Sequence, residues 1–183
     1  MSKSENVLEE IENMAKKSFL PIIGPEKGKV LAKVVRETKP KRVLEVGTLI
    51  GYSAIIIGKE LDADAHLITI EIHSDEAKVA EENIKKAGIR AKVDVLVGDA
   101  LEVIPKLEGP FDLVFIDAAK DEYFQYLKLV EDKLHSGSVV VADNAGIFAD
   151  QMKDYLSYLR SSSMYKSRYV KVEDDGLEIS VKL

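Results

Sequence analysis

Two short segments hold the residues with the most chemistry in them. Phe115-Ile116-Asp117-Ala118-Ala119-Lys120 and Val139-Val140-Val141-Ala142-Asp143-Asn144 are apolar runs closed by oxygen-bearing side chains. Runs of this length read as strands buried on both faces. In an open α/β sheet, ligands bind in the crevice beyond the carboxyl ends of such strands. If the two strands are neighbours, Asp117, Asp143 and Asn144 meet at one point. Three hard oxygen donors suit Mg²⁺, or another hard divalent cation such as Mn²⁺ or Ca²⁺. The chain has no Cys, so a thiolate metal site or a cysteine nucleophile is excluded. Lys120 follows Asp117 by three residues and can reach the same point.

A second feature lies upstream. Val43-Leu44-Glu45-Val46-Gly47 runs into Thr48-Leu49-Ile50-Gly51-Tyr52-Ser53. The two glycines let the chain turn sharply from strand to helix and bring backbone close to a ligand. A dinucleotide turn reads Gly-x-Gly-x-x-Gly, whose middle glycine makes room for pyrophosphate. Here Leu49 fills that place, which favours a nucleoside lacking phosphates. Glu71 closes the next strand, where an acid can accept both hydroxyls of a ribose. Asp99, in Gly98-Asp99-Ala100, either accepts from an adenine amino group or caps a helix. Together these point to S-adenosylmethionine, whose cationic sulfonium suits the nearby Glu45 and Asp117.

These residues need a scaffold of alternating strands and helices. Strands are expected at 42–46, 66–70, 92–97, 112–116 and 138–142, with helices at about 52–61, 75–87, 100–107 and 122–134. Two helices precede them, one with Val7, Leu8, Ile11 and Met14 on one face, the other from about Glu26 to Thr38. A further helix is expected near 149–159. Tyr165–Val172 and Leu177–Leu183, joined by Glu173-Asp174-Asp175-Gly176, must pair antiparallel. The fold class is α/β: a doubly wound, mostly parallel, seven-stranded sheet with an antiparallel C-terminal pair. Residues 1–183 are read as one domain, with helices in 1–39 capping the site.

Bulk properties narrow the partners. The 183 residues are 46% hydrophobic, enough to fill one core, and the net charge is −6. An acidic chain argues against nucleic acid or an anionic membrane as main partner. No apolar run approaches the roughly 20 residues that span a bilayer. A cytoplasmic protein, monomer or homodimer, is expected.

The ordered set Val43-Leu44-Glu45-Val46-Gly47-Thr48, Gly51-Tyr52-Ser53, Glu71, Asp117-x-x-Lys120 and Asp143-Asn144 resembles the metal-dependent O-methyltransferases, the family of catechol and caffeoyl-CoA methyltransferases. Gly24-Pro25-Glu26-Lys27-Gly28, Asp154 to Ser163 and Asp175-Gly176-Leu177-Glu178 extend the resemblance from about Ile22 to the end. It implies a Rossmann-like methyltransferase fold. It also implies metal ligation by Asp117, Asp143 and Asn144, and a catalytic role for Lys120. Cofactor contacts would come from Ile23, Glu45, Gly47, Ser53, Glu71, Ile72, Gly98, Asp99, Ala100 and Asp117. The implied acceptor is a small phenolic or catechol-like molecule, methylated on one hydroxyl.

Two positions depart from the catechol pattern. Tyr169 stands where a substrate-contacting Glu is expected, and Ala119 where a Trp is expected. A CoA ester would instead need basic residues at the pocket mouth, for which Lys27 and Arg168 are the candidates. The competing functions are a metal-independent methyltransferase acting on RNA or protein, and an NAD-dependent oxidoreductase. The Leu49 turn and the lack of a Tyr-x-x-x-Lys pair weigh against the latter.

Overall fold

The structure is a computed structural model and describes residues 1–183. Seven strands form one sheet in the order β3-β2-β1-β4-β5-β7-β6. They are β1 (Arg42–Val46), β2 (His66–Glu71), β3 (Lys92–Val97), β4 (Phe111–Ile116), β5 (Leu134–Ala142), β6 (Tyr165–Val172) and β7 (Asp175–Lys182). The first five are parallel; β7 runs antiparallel to both β5 and β6. The central strands are apolar on both faces because helices cover both. α1 (Lys3–Lys17), α2 (Gly24–Thr38), α3 (Tyr52–Glu60) and α4 (Ser74–Ala87) pack on one side, burying Val7, Leu31, Ile55 and Leu67. α5 (Ala100–Val103), α6 (Tyr123–Val130) and α7 (Lys153–Ser161) pack on the other, with Ile104, Tyr123, Leu127 and Tyr155. No helix is long and apolar enough to cross a membrane.

The strand order reverses between β1 and β4, which opens the crevice of a doubly wound sheet at their carboxyl ends. Single hydrogen bonds then set the strand tips side by side. Gly47 N donates to Ile70 O, Asp117 N to Val46 O, Asp143 N to Ile116 O and Gly98 N to Glu71 O, all at 2.9–3.0 Å. Four loops are thereby fixed along one edge.

Several boundaries differ from the sequence expectation, each for a tertiary reason. The helix expected to reach Leu134 stops at Val130, and β5 begins at Leu134. The intervening Glu131 is tied to Lys128, Tyr158 and Tyr165. The helix expected from Ala149 begins at Lys153. Upstream, Asn144 adopts a left-handed φ of 64°, and Asp175 takes the N–H groups of Gly146 and Ile147 into a turn. The last hairpin is tighter than the four-residue turn expected. Val172 pairs with Asp175, leaving only Glu173 and Asp174, with Glu173 at φ 55°. Met14, placed on the apolar face of α1, is instead exposed.

Candidate active site

A cleft of about 800 Å³ opens over the carboxyl ends of β1, β2, β4 and β5. All the sequence-expected site residues line it except Glu45, which lies directly beneath. The cleft has two ends.

At one end the loops after β1 and β2 form a turn around a carboxylate. Gly47 and Gly51 hold φ values of 95° and 93°, a region that glycine enters without strain. A side chain at Gly47 would also run into the carbonyl of Asp117. Glu71 Oε2 accepts from Thr48 N at 3.2 Å and Leu49 N at 2.7 Å, and Oε1 from His73 N at 3.2 Å. A carboxylate has about four lone-pair sites, so acceptor capacity remains on Glu71, which lines the cleft. Asp99 accepts from Leu101 N, so it does cap α5, while its residue still faces the cleft. Below the floor, Glu45 is fully buried. It is held by Ser53 Oγ at 2.5 Å and Thr69 Oγ1 at 2.6 Å, and Thr69 meets Thr48 in turn. Burial pushes its carboxyl up to about 8, aided by the charges of Asp117 and Glu71, although the two hydroxyls pull it down.

At the other end, β4 and β5 deliver Asp117, Lys120, Asp143 and Asn144 to one place. Lys120 Nζ donates to Asp117 Oδ1 and to Tyr123 OH, both at 2.9 Å. Tyr123 in turn donates to the Asp143 carbonyl at 3.2 Å. Asp143 Oδ1 accepts from Asn144 N at 2.7 Å and pairs with Lys27 Nζ at 2.7 Å. Burial, with the like charge of Asp117, pushes the Asp143 carboxyl up to about 6 against the pull of Lys27. Lys27 is held above its ordinary value: burial alone would lower it, and Asp143 and Asp175 outweigh that. Lys27 therefore sits inside a double ion pair, its side chain only 12% exposed, and is not the mouth residue envisaged for a CoA ester. Arg168, the other candidate, is exposed on β6 and does not line the cleft.

The donor chemistry fits a hard cation. Once these protein bonds are made, Asp117 Oδ2, Asp143 Oδ2 and Asn144 Oδ1 take no hydrogen bond from the protein. All three are oxygens, the ligand type that Mg²⁺, Mn²⁺ and Ca²⁺ select. Glu71, His73 and Glu76 also place ligand atoms within 4.8 Å of one another. That group fits a cation less well, since Glu71 already accepts three N–H donors and Glu76 is pushed toward its neutral form by burial and by Glu71.

Sequence reasoning missed part of the wall. Phe19, 94% exposed, stands over the cleft with Pro21, Ile147 and Phe148. A lone aromatic in a loop carries no periodic signal, so only its large exposure in the fold marks it. Tyr169 lies over Gly146 and Gly176, whose missing side chains make room for its ring, and it does not line the cleft.

Comparison with known proteins adds a family. Residues 1–169 match a family model described as O-methyltransferase. Catechol O-methyltransferase B of Danio rerio is 41% identical over 174 residues, covering 88% of this chain and 65% of that protein. Catechol O-methyltransferase of Mus musculus is 34% identical over 192 residues, covering 97% and 71% respectively. The chain thus spans about two thirds of these relatives' length. Among solved structures, an O-methyltransferase of Streptomyces achromogenes involved in tomaymycin synthesis, in complex with SAM, has a TM-score of 0.87. It is 25% identical, over 100% of this chain and 90% of that one.

Proposed function

This chain belongs to the O-methyltransferase family, and from that premise we propose that it transfers a methyl group from S-adenosylmethionine to one hydroxyl of a small catechol-like diol, with a hard divalent cation. The observation that carries the reading is the set of three uncommitted oxygens, on Asp117, Asp143 and Asn144, beside Lys120 Nζ. When bound, the cofactor supplies an electrophilic methyl on a sulfonium, and the cation makes an acceptor hydroxyl more acidic.

The chain's own residues supply the rest. In this reading Glu71 accepts the ribose hydroxyls, and the Gly47–Ser53 turn holds the methionine end. Ile23, Ile72 and Gly98–Ala100 flank the nucleoside. Asp117 puts negative charge near the sulfonium, while Glu45, held protonated by burial over most of the neutral range, anchors the turn through Ser53. Asp117, Asp143 and Asn144 hold the cation. Lys120 is fixed by two bonds, to Asp117 and Tyr123, and it is as the neutral amine, with its lone pair turned to the acceptor, that it takes the acceptor's proton and becomes the ammonium. Ala119, Phe19, Ile147 and Phe148 offer an apolar face to an aromatic ring. With Ala at 119, that face is open on one side. A cytoplasmic setting belongs to the same reading.

The test is methyl transfer to caffeic acid, with Mg²⁺ and again with EDTA. Transfer that stops with EDTA is expected. Transfer indifferent to EDTA would keep the family and overturn the metal; no transfer in either condition, with the cofactor bound, would overturn the catechol acceptor.

A further inference from the structure

Asn144 poses a question of orientation. Its amide has an oxygen on one side and an NH₂ on the other, and only the oxygen can serve a cation. Something must decide which side faces the cleft. Asn144 Nδ2 donates to Asp175 Oδ2 at 2.8 Å, across 31 residues of sequence. Asp175 opens β7, is 7% exposed, and has a second partner on the same oxygen, Lys27 Nζ at 2.5 Å. Its other oxygen accepts from Gly146 N and Ile147 N, each at 3.0 Å. An ionised carboxylate accepts and never donates, so it fixes the amide with NH₂ toward itself and Oδ1 away.

Lys27 sets its ammonium against that carboxylate, and with Gly146 N and Ile147 N every protein group facing Asp175 is a donor. The same ammonium meets Asp143 Oδ1, which leaves Asp143 Oδ2 as the uncommitted oxygen. One lysine thus orients both ligands offered by the tip of β5.

We infer that Asp175, backed by Lys27, is a positioning residue that turns the Asn144 oxygen toward the cation. The inference rests on the metal reading above. Outer partners of this kind set metal affinity by about 10–100-fold.

Asp175→Asn tests it with little change of shape. The new amide's oxygen can still cap Gly146 and Ile147, but its NH₂ now faces Asn144 and reverses that side chain. Mn²⁺ titration by electron paramagnetic resonance, with S-adenosylhomocysteine bound, reads metal affinity without turnover. The expected result is affinity weakened about 10–100-fold, with S-adenosylhomocysteine affinity and melting temperature little changed. Adding Asn144→Asp to that variant restores an oxygen on both sides and returns affinity to within a few-fold of the parent. Unchanged Mn²⁺ affinity in Asp175→Asn would overturn the inference. So would a double variant that folds, binds S-adenosylhomocysteine and stays as weak as the single one. A parent protein that binds no Mn²⁺ would overturn the metal reading itself, a failure visible before any variant is made.

Discussion

Strand β4 has an aspartate near each end, and the two are used differently. At its amino end, Asp112 commits both oxygens. Oδ2 accepts from Lys41 N and Arg42 N, and Oδ1 meets His135 Nε2 at 2.7 Å. Burial alone would raise this carboxyl, but those donors hold it below its ordinary range. At the carboxyl end, Asp117 gives one oxygen to Lys120 and keeps the other. Asp143, beside it, also gives one oxygen and keeps one, and is pushed up rather than down. Charge density alone does not separate the two ends. What separates them is whether the acceptors are used up within the fold, and an acceptor left over at a strand tip is free to take a ligand.

The largest test of that contrast removes an uncommitted oxygen. Asp143→Ala is expected to lower methyl transfer by on the order of 10³-fold, the several kcal/mol a cation supplies. Cofactor affinity should stay within a few-fold, as read by calorimetry. An activity near the parent's would mean the spare oxygens are incidental.

Lys120→Ala comes next. A positioned proton acceptor is worth about 10²–10⁴-fold, so turnover should fall by that much while S-adenosylhomocysteine still binds. Undiminished turnover would remove Lys120 from the mechanism.

A third test uses pH. Glu45 is raised to about 8 in the folded protein, from the ordinary carboxylate value near 4.5. Between those values the unfolded chain gives up a proton that the folded chain keeps, so stability falls as pH rises through the window. Glu45→Gln cannot titrate. Its melting temperature relative to the parent should climb from pH 5 to pH 8, by on the order of 10 °C, and level off above. A difference that stays flat with pH would mean the buried carboxyl is not raised.

The smallest effect belongs to the other end of β4. Asp112→Ala is expected to cost ~1 kcal/mol in urea unfolding, for the backbone donors it leaves unpaired. Methyl transfer should be unchanged. Loss of activity without loss of stability there would break the comparison between the two ends.

Much of the site was legible because it sits at strand tips. Buried parallel strands announce themselves as apolar runs, so Asp117, Asp143 and Asn144 fall at readable offsets from Phe115 and Val141. The paired glycines of the 47–51 turn are legible for a similar reason, since their backbone conformation excludes most side chains. What escaped depends on contacts distant in sequence. Lys27 and Asp175 are 148 residues apart. Read locally, Lys27 is a helix lysine and Asp175 part of a polar turn. The true two-residue loop rests on Glu173 entering the left-handed region, which its residue type does not advertise. The insertion of β7 between β5 and β6 was equally hidden, because a hairpin's sequence fixes its own pairing and not which strand joins the sheet.

The place of β7 has a consequence for how the molecule is made. A chain grows from its N-terminus, at about 5–20 residues per second. Glu45, Glu71 and Asp117 have all been synthesised long before Asp175. β7 is the last strand, yet it lies inside the sheet, paired to β5 by four residues from Val139 to Ala142. A nascent chain that stops short of it has every residue of the cofactor end and lacks the group that aligns Asn144. Because β7 is paired on both edges, to β5 and to β6, a product clipped before Asp175 would lose two ladders of the sheet together with the carboxylate that meets Asn144 and Lys27.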